Sequence, residues 1–422
     1  MWSLRNQWLS SESLAFVPVK FLGEKMTSTD EKEKTFEVEI ERLLPGGVGL
    51  AHAEGLTLFV SLAAPGDVLR VRIDRVQGKL GFASVLEILK PSPARVEPPC
   101  PYFGRCGGCD FQQLNYQAQL DAKVAIIRDC LHRIAKIEVG EIPITASPGE
   151  WRYRARANWQ VDAADKLIGY FERGSNRVCD VDYCAVLTPE LQRTLEQVRA
   201  ELFAETAPPP PRNIDAVVGD EGISLAPPIG SFTTDIVSRA IGSESYHFSA
   251  DAFFQVNHEL LEPLIAAAIE DEKGNTAVDL YCGVGLFTLP LARRFARVVG
   301  VESHPRATEF ARRNLDTAKL ENAEIITARV GDWLAQHARS LAAVDFLLLD
   351  PPRTGCENRD IAGILVLRPA QISYVSCDPA TLARDLKKLV AAGYSLDSVA
   401  AFDMFPQTHH VETVARLSVG KN

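Results

Sequence analysis

The sequence predicts an α/β protein in which helices cover both faces of a mostly parallel sheet, preceded by a small β barrel and an α+β segment. Three observations support this. Apolar runs alternate with amphipathic helical patterns in the last third of the chain, short alternating strands fill the barrel region, and a proline-rich linker followed by clustered cysteines separates the two. The predicted parts are a tail (1–33), a barrel (34–92), a central domain (93–250) and an α/β domain (251–422).

Composition places the chain among ordinary globular proteins. Its 422 residues suffice for about three domains, with 46% hydrophobic and 24% charged residues. No stretch approaches the ~18 uncharged apolar residues of a membrane span, and no signal-peptide pattern precedes the first strand. Nine cysteines are too sparse for a secreted disulfide framework. We therefore expect a cytoplasmic monomer with no membrane partner.

The net charge of −10 argues at face value against a polyanionic partner. The acidity is local, however, because residues 181–275 hold 5 basic and 16 acidic side chains. Residues 151–177 instead interleave basic and aromatic side chains, a pattern suited to loop RNA, although a structural strand pair explains the aromatics almost as well. Total charge is thus a poor guide to the partner.

Residues 36–90 contain about five short strands punctuated by glycines, with alternation such as that from Val68 to Ile73. This pattern fits a small closed barrel of the oligonucleotide-binding sort. A barrel of the same size without a ligand is equally compatible with the spacing.

The segment CPYFGRCGGC places Cys100, Cys106 and Cys109 in a glycine-rich loop with metal-ligand spacing. A fourth ligand is needed, and Cys179 and Cys184 both follow about 70 residues later. Four thiolates suit either zinc or an iron–sulfur cluster. A redox pair formed by CGGC is the less favoured alternative.

A glycine turn follows the first strand of the α/β domain, in VDLYCGVGLFTLPLA. Gly283 lets the backbone approach a ligand there, and Glu302 ends the next strand, where a carboxylate can hold both ribose hydroxyls. Because no third phosphate-binding glycine is present, the turn is closer to an S-adenosylmethionine site than to a dinucleotide site. Asp332, after the third strand, stands where such enzymes bind adenine.

The tetrad DPPR places Asp350 and Arg353 at the end of the fourth strand. Two prolines there could serve only a rigid connection. Methyltransferases that modify exocyclic amines carry an aromatic residue after the prolines, and Arg353 in that place argues against amine methylation.

The next strand ends in YVSCDPATLARDL, where Cys377 precedes a proline-capped helix. A cysteine beside a helix amino terminus can have a lowered pKa and act as a thiolate nucleophile. Near the carboxyl terminus FPQTHHVETVARL places Glu412 in an apolar strand, where an acid is costly unless it is paired or functional. His409 and His410 are interpreted as turn residues.

With these motifs in place, the chain resembles the RNA uracil C5-methyltransferases from about residue 35 to residue 420. CGGC with its flanking cysteines, FFQVN, DPPRTG with SCDP, and HHVET carry the resemblance. It implies a Rossmann-like methyltransferase domain that uses S-adenosylmethionine, and it implies that the barrel is a TRAM domain, an RNA-binding module.

The resemblance also implies site residues. The cysteines would hold a [4Fe-4S] cluster, with Cys184 in VDYCAVL as the fourth ligand rather than Cys179. Contacts with S-adenosylmethionine are implied for Gln255, Tyr281, Glu302 and Asp350. Many members have asparagine after the second glycine of the turn; Leu286 stands there in this chain, so we assign it no polar role.

The mechanism implied is addition of the Cys377 thiolate to C6 of uracil, methylation of C5, and removal of the C5 proton by Glu412. The partner is RNA, with ribosomal 23S RNA favoured, transfer RNA as the alternative, and no DNA expected. A cytosine C5-methyltransferase is disfavoured by the cysteine cluster and HHVET. A non-catalytic RNA-binding protein is disfavoured because Cys377, Glu412, Asp350 and Glu302 all occur together.

Overall fold

The computed structural model describes residues 34–205, 207–231, 233–341 and 343–420, so the expected tail, 1–33, lies outside the described residues. These residues form four sheets. No helix within the described ranges is long and apolar enough to cross a membrane.

The amino-terminal sheet has six strands rather than about five, because a two-residue strand at Arg42–Leu43 forms a short hairpin with the strand that follows it. Their order is β1-β5-β6-β4-β3-β2, with bounds β1 Thr35–Glu39, β2 Arg42–Leu43, β3 Gly49–Ala53, β4 Leu56–Val60, β5 Val68–Gln77 and β6 Leu80–Lys90. All pairs are antiparallel except β4 with β6. Alternate side chains such as Leu69 and Val71 are fully buried, which closes a small barrel-like core.

The central region combines two helices with antiparallel strands. The helices are α1 (Tyr116–Cys130), which runs on into a π-helical turn at Leu131–Ala135, and α2 (Pro189–Leu202). The strands are β7 Ile144–Thr145, β8 Arg156–Asp162, β9 Leu167–Phe171, β10 Val178–Asp180, β11 Asn213–Val218, β12 Ile223–Ala226, β13 Val237–Ile241 and β14 Glu244–Phe248. β8 to β12 form one sheet, ordered β10-β9-β8-β11-β12, and β13 and β14 form a ribbon.

An eight-stranded sheet forms the carboxyl-terminal part, ordered β17-β16-β15-β18-β19-β21-β20-β7. Its remaining strands are β15 Gly274–Leu280, β16 Phe295–Glu302, β17 Ala323–Thr327, β18 Phe346–Leu349, β19 Gln371–Ser376, β20 Tyr394–Phe402 and β21 Glu412–Val419. The helices around it are α3 Leu261–Ile269, α4 Thr288–Ala292, α5 Pro305–Ala318, α6 Val330–His337, α7 Asn358–Leu367 and α8 Pro379–Ala391.

Strands β15 to β19 pair in parallel, and β21 runs antiparallel to β19 and β20. The central strands are buried on both faces; β18, FLLL, is fully buried along its length. This confirms the predicted α/β fold, in which continuous apolar runs mark strands covered by helices on both sides.

Residues from the central region also complete this sheet. β7 adds a parallel strand at the β20 edge, and α1 packs through Ile126 and Ile127 into the same core as α8. The pattern of the last third of the chain carried no sign of these additions.

The segment that joins β20 to β21, residues 403–411 (hereafter the 403–411 segment), is tied to α1. Lys123 on α1 forms an ion pair with Asp403, and both side chains are fully buried. Lys123 Nζ also donates to the Phe405 carbonyl at 3.0 Å, and Gln119 Oε1 accepts from the Gln407 backbone N–H at 2.9 Å. α1 therefore holds the segment immediately before Glu412.

Replacing Lys123 by methionine leaves the Asp403 carboxylate buried and unpaired, so we expect the free energy of unfolding to fall by about 3–5 kcal/mol. Denaturant unfolding measures the change. The control, Arg133→Gln, removes an exposed pair with Asp129 and should cost less than about 1 kcal/mol. The double variant K123M/D403L should recover most of the loss. An equal effect of Lys123→Met and the control would contradict the assignment.

Candidate active site

Four of the side chains predicted to form the site lie along one edge of the large sheet. Glu302 ends β16, Asp350 follows β18 and Cys377 follows β19. Glu412 begins β21, which is antiparallel to β19, and the pair Ser376 with Thr413 sets their register. The carboxyl ends of the parallel strands and the start of β21 therefore share an edge, where ligands of open α/β sheets bind.

The glycine turn leaves this edge open. Tyr281, Gly283 and Gly285 have left-handed backbones, with φ of 62°, 55° and 92°. A Cβ added at Gly283 would have no atom within 4 Å. The backbone N–H of Gly283 donates to Glu302 Oε2 at 3.2 Å. Space for a ligand thus lies beside a carboxylate that the backbone already holds.

Glu302 is oriented through both oxygens. Oε1 accepts from the His304 N–H at 2.7 Å, while Oε2 accepts from the turn. A carboxylate fixed in this way can accept two hydroxyl hydrogen bonds from a ribose.

Tyr281 and Asp332 are linked to the amino end of α7. The Tyr281 hydroxyl donates to Asp360 Oδ2 at 2.8 Å, and Arg359 pairs with Asp332 at 2.8 Å. Asp360 also closes the capping box of α7 with Glu357. Sequence reasoning missed Arg359 and Asp360, although the pattern E-N-R-D, with an acid at the third helical position, could have marked this helix start.

Gln255 is 5% exposed and lies between β14 and a 3-10 turn at His258–Leu260. Its loop is held at Val256, whose carbonyl accepts from Ala155, and at Asn257, whose side chain donates to Ser147 Oγ at 2.9 Å. Leu286 is buried in the core, and its carbonyl accepts from the Tyr246 hydroxyl at 3.0 Å. Its side chain packs and has no polar role, as expected.

Glu412 is 3% exposed, and its Oε1 is buried without a hydrogen-bond partner among the described residues. Burial, followed by the charge of Asp350, holds the pKa of Glu412 well above its usual range, and Arg353 partly offsets both. A buried carboxyl with an unused oxygen is arranged to exchange a proton with something that enters the site.

The expected lowering of the Cys377 pKa is wrong for this structure. Burial, then the Glu412 carboxylate, raise the pKa of the Cys377 thiol; Arg353 lowers it, and Asp350 raises it further. Desolvation and the neighbouring acids Glu412, Asp350 and Asp378 set this direction. The resting thiol is therefore protonated, and it needs added positive charge or a proton acceptor to react.

The same edge concentrates acidic groups. Burial and the nearby Glu302 raise the pKa of Asp350 to about 7, and burial is also the first cause that raises the pKa of Asp279 to about 7. Asp279 accepts from Thr288 through Oδ2. Such a cluster favours a ligand that carries positive charge.

Arg353 lies on a loop that α8 fixes from below. Thr381 donates to the Arg353 carbonyl at 3.1 Å, and the buried Asp385 accepts from the Cys356 N–H at 2.9 Å. Gly355 in this loop has φ of 69°, a conformation that side chains rarely adopt. The loop is therefore held rigidly, with the Arg353 side chain near Cys377 and Glu412.

His409 and His410 lie in the 403–411 segment, as turn residues. Burial, then the charges of His409 and Arg353, hold the pKa of His410 well below its ordinary value, so this ring stays neutral.

A second cavity gathers the predicted metal ligands. Its lining includes all four: Cys100, Cys106, Cys109 and Cys184. None of them forms a disulfide, and Cys179 is buried in β10 instead. Among the described residues no three His, Cys, Asp or Glu side chains converge on one ion-sized point. The thiols surround a space and do not form a tight tetrahedron.

One cation of this cavity lacks a partner. Arg154 Nε is buried and has no hydrogen-bond partner among the described residues, and no carboxylate of those residues forms an ion pair with Arg154. A guanidinium facing four thiols without a counter-charge is costly unless an anionic group occupies the space. The donor set thus fits a polynuclear thiolate-bound cluster, whose net charge is negative.

The basic and aromatic side chains of residues 151–177 mostly do not form an RNA surface. Trp159 is fully buried in the core, the Tyr153 hydroxyl donates to the Pro406 carbonyl, and Arg156 donates to two main-chain carbonyls. With Arg154 at the cysteine cavity, the interpretation as strand packing accounts for these residues.

Comparison with known proteins gives matches over nearly the whole chain. A family model described as tRNA (Uracil-5-)-methyltransferase matches residues 233–419, and one described as TRAM domain matches residues 31–86. The 23S rRNA (uracil(1939)-C(5))-methyltransferase RlmD of Pectobacterium atrosepticum is 34% identical over 90% of this chain and 93% of its own. An uncharacterized RNA methyltransferase of Thermosynechococcus vestitus is 32% identical over 91% and 98%.

Among solved structures, the tRNA (uracil-54, C5)-methyltransferase of Pyrococcus abyssi in complex with S-adenosyl-L-homocysteine superposes with a TM-score of 0.68. It is 25% identical, and the match covers 90% of this chain and 100% of that one.

The raised pKa of Asp350 predicts a pH-dependent effect of Asp350→Asn. Between about pH 4 and pH 7 the unfolded chain loses this proton while the folded protein keeps it, so the carboxyl destabilises the fold increasingly as the pH rises. Without added ligand, Asp350→Asn should raise the melting temperature at pH 8 and leave it nearly unchanged at pH 4. The control is the exposed Asp316→Asn on α5. A shift that is equal at both pH values would contradict the prediction.

Proposed function

The chain belongs to the RNA uracil C5-methyltransferase family, and from that premise we propose that it methylates C5 of a uridine in 23S rRNA through Cys377 and Glu412. S-adenosylmethionine is the methyl donor of this family's reaction. The observation that carries the proposal is the position of a buried carboxyl with an unpartnered oxygen on β21 beside a half-buried cysteine at the end of β19.

Uracil C5 is a poor nucleophile until a group adds to C6. Cys377 Sγ attacks C6, and the electrons of the C5–C6 double bond move onto C5 and the C4 carbonyl as an enolate. Arg353 lowers the pKa of Cys377 and so favours the thiolate that this step requires. The thiol proton passes to the Asp350 carboxylate, which leaves Glu412 free to accept the C5 proton in the second half of the reaction.

After C5 has taken the methyl group, Glu412 accepts the C5 proton. The electrons of that C–H bond restore the C5–C6 double bond, and the Cys377 sulfur leaves C6 as a thiolate. Burial suits Glu412 to this step because its raised pKa makes it a stronger base than an exposed carboxylate.

Several residues would hold the methyl donor along the open edge: Gln255, Tyr281, Gly283, Glu302, Asp332 and Asp350. When bound, the donor supplies a methyl group on a positively charged sulfur. Glu302 would accept hydrogen bonds from the ribose hydroxyls. The donor would fit in the free space beside Gly283, and the Asp350 carboxylate would lie near its positively charged sulfur.

The 23S rRNA substrate is supported by the RlmD relatives, which match over 90% or more of both chains at 31–34% identity. The tRNA-modifying neighbour matches at 25% identity. The target uridine must be unstacked or lie in a loop, because C5 and C6 are not reachable inside paired RNA. We place the barrel, residues 34–92, on the RNA as a TRAM domain, and the protein in the cytoplasm as a monomer.

The cysteine cavity would hold a [4Fe-4S] cluster through Cys100, Cys106, Cys109 and Cys184. Zinc is less suited, because its four thiolates must converge at about 2.3 Å on one ion. Arg154 would supply the counter-charge to such a cluster. Cys377 and Glu412 do not line this cavity, so no step of the reaction is assigned to it.

Replacing Cys377 by alanine should abolish methyl transfer to RNA, because no other nucleophile can activate C5. The affinity of this variant for S-adenosylmethionine, measured by calorimetry, should be unchanged. Cys282→Ala, which removes a buried thiol of the glycine turn, is the matched control and should retain turnover. Methyl transfer by Cys377→Ala at the unmodified rate would remove the nucleophile assignment.

Iron and sulfide analysis of anaerobically purified protein should give about four of each per chain. Arg154→Met should lower this content because the cluster loses its counter-charge, whereas Arg154→Lys should retain it better. The control is Arg152→Met, which removes an exposed guanidinium two residues away. Stoichiometric zinc in place of iron would contradict the cluster assignment.

A further inference from the structure

The loop that carries three of the cysteines, residues 100–111 (hereafter the cysteine loop), is bonded to the 403–411 segment. The backbone N–H groups of Asp110 and Phe111 both donate to the Gln407 carbonyl, at 3.1 and 3.0 Å. Asp110 Oδ1 accepts from the His409 N–H at 2.7 Å, and Oδ2 pairs with His409 Nδ1. Four polar contacts thus join two loops that are nearly 300 residues apart in sequence, and we call this set of contacts the Asp110–His409 junction.

On one side of this junction lies the cysteine cavity. Asp110 directly follows Cys109, which lines the cavity, and Arg173 donates to the Cys109 carbonyl at 3.1 Å. The barrel also packs closely against the junction. A Cβ added at Gly47 would lie 3.0 Å from His409 and 3.1 Å from Phe111. Whatever fixes Cys109 therefore also fixes Asp110, with little room to relax.

On the other side lies the active site. The ring centroids of His409 and His410 are 4.0 Å apart, and Glu412 follows two residues later at the start of β21. Glu412 Oε1 has no hydrogen-bond partner among the described residues. No bond at that atom holds it, so its position depends on the backbone of β21, which pairs with β19 and β20 and directly follows the 403–411 segment.

From these contacts we infer that Asp110 and His409 are positioning residues through which the cysteine loop sets the placement of Glu412. This inference rests on the proposed function. The link acts on the second half of the reaction, removal of the C5 proton and release of Cys377, because it reaches β21 but not the start of α8. The group held by the cysteines would thereby support catalysis without touching the reacting atoms.

The test uses the full chain, purified anaerobically, in single-turnover reactions with RNA and labelled S-adenosylmethionine. Adduct formation and adduct release are followed separately as a slow band on denaturing gels. Asp110→Ala and His409→Ala should form the adduct at the wild-type rate and release it roughly 10- to 100-fold more slowly. Iron content is measured for each protein.

Further variants separate a positioning role from general loosening. D110A/H409A should be no slower than either single variant, because both substitutions break one link. Asp110→Asn should restore much of the release rate, since its side-chain oxygen can still accept from the His409 N–H and its amide nitrogen can donate to an unprotonated His409 Nδ1. The matched control is Glu172→Gln, which loses a carboxylate that accepts from Arg105 of the cysteine loop and makes no bond to the 403–411 segment in the described residues. Its release rate should be that of the wild type.

Wild-type release rates in both alanine variants, or equal slowing of formation and release, would overturn the inference. If Asp110→Ala loses iron, His409→Ala, which lies outside the cysteine loop, decides the question. Failure of the proposed function has a different signature, because the wild-type protein would then form no adduct or would methylate RNA without Cys377.

Discussion

The site depends on a carboxyl group that the fold buries without satisfying it. Glu412 is 3% exposed, with one oxygen unpartnered among the described residues, and it lies beside Cys377 and Asp350. A buried acid of this kind lowers the stability of the folded chain. The surroundings offset that cost with one cation, Arg353, and with a rigid β19–β21 pairing that fixes where the acid stands.

Two sets of contacts support this arrangement. In the first, α8 holds the loop that carries Arg353, through Thr381 and Asp385. In the second, the buried pair of Lys123 with Asp403 and the Asp110–His409 junction hold the 403–411 segment before β21. Helix α1 and the cysteine loop are thus part of the support of the active site, although both precede the α/β sheet in the chain.

Much of this could be predicted from the sequence, because parallel strands place their carboxyl ends together. Glu302, Asp350 and Cys377 each end an apolar run, so their shared edge follows from the pattern. The Lys123–Asp403 pair could not be predicted, since its partners lie 280 residues apart and no local pattern marks either one. The pKa of Cys377 was predicted in the wrong direction because the helix start is visible in sequence, whereas burial and neighbouring acids are not. The basic and aromatic pattern of residues 151–177 left both an RNA surface and a structural strand pair open for a similar reason, because burial is not visible in the sequence.

The central claim is that Cys377 adds to C6 of uracil and that Glu412 removes the C5 proton, which releases the cysteine from the base. One measurement tests both steps. Glu412→Gln is incubated with RNA and S-adenosylmethionine, and the products are separated under denaturing conditions and mapped by peptide mass spectrometry. The account predicts a stable RNA–protein adduct that carries the new methyl group and is linked through Cys377. Normal turnover by Glu412→Gln, or an adduct at another residue, would contradict it.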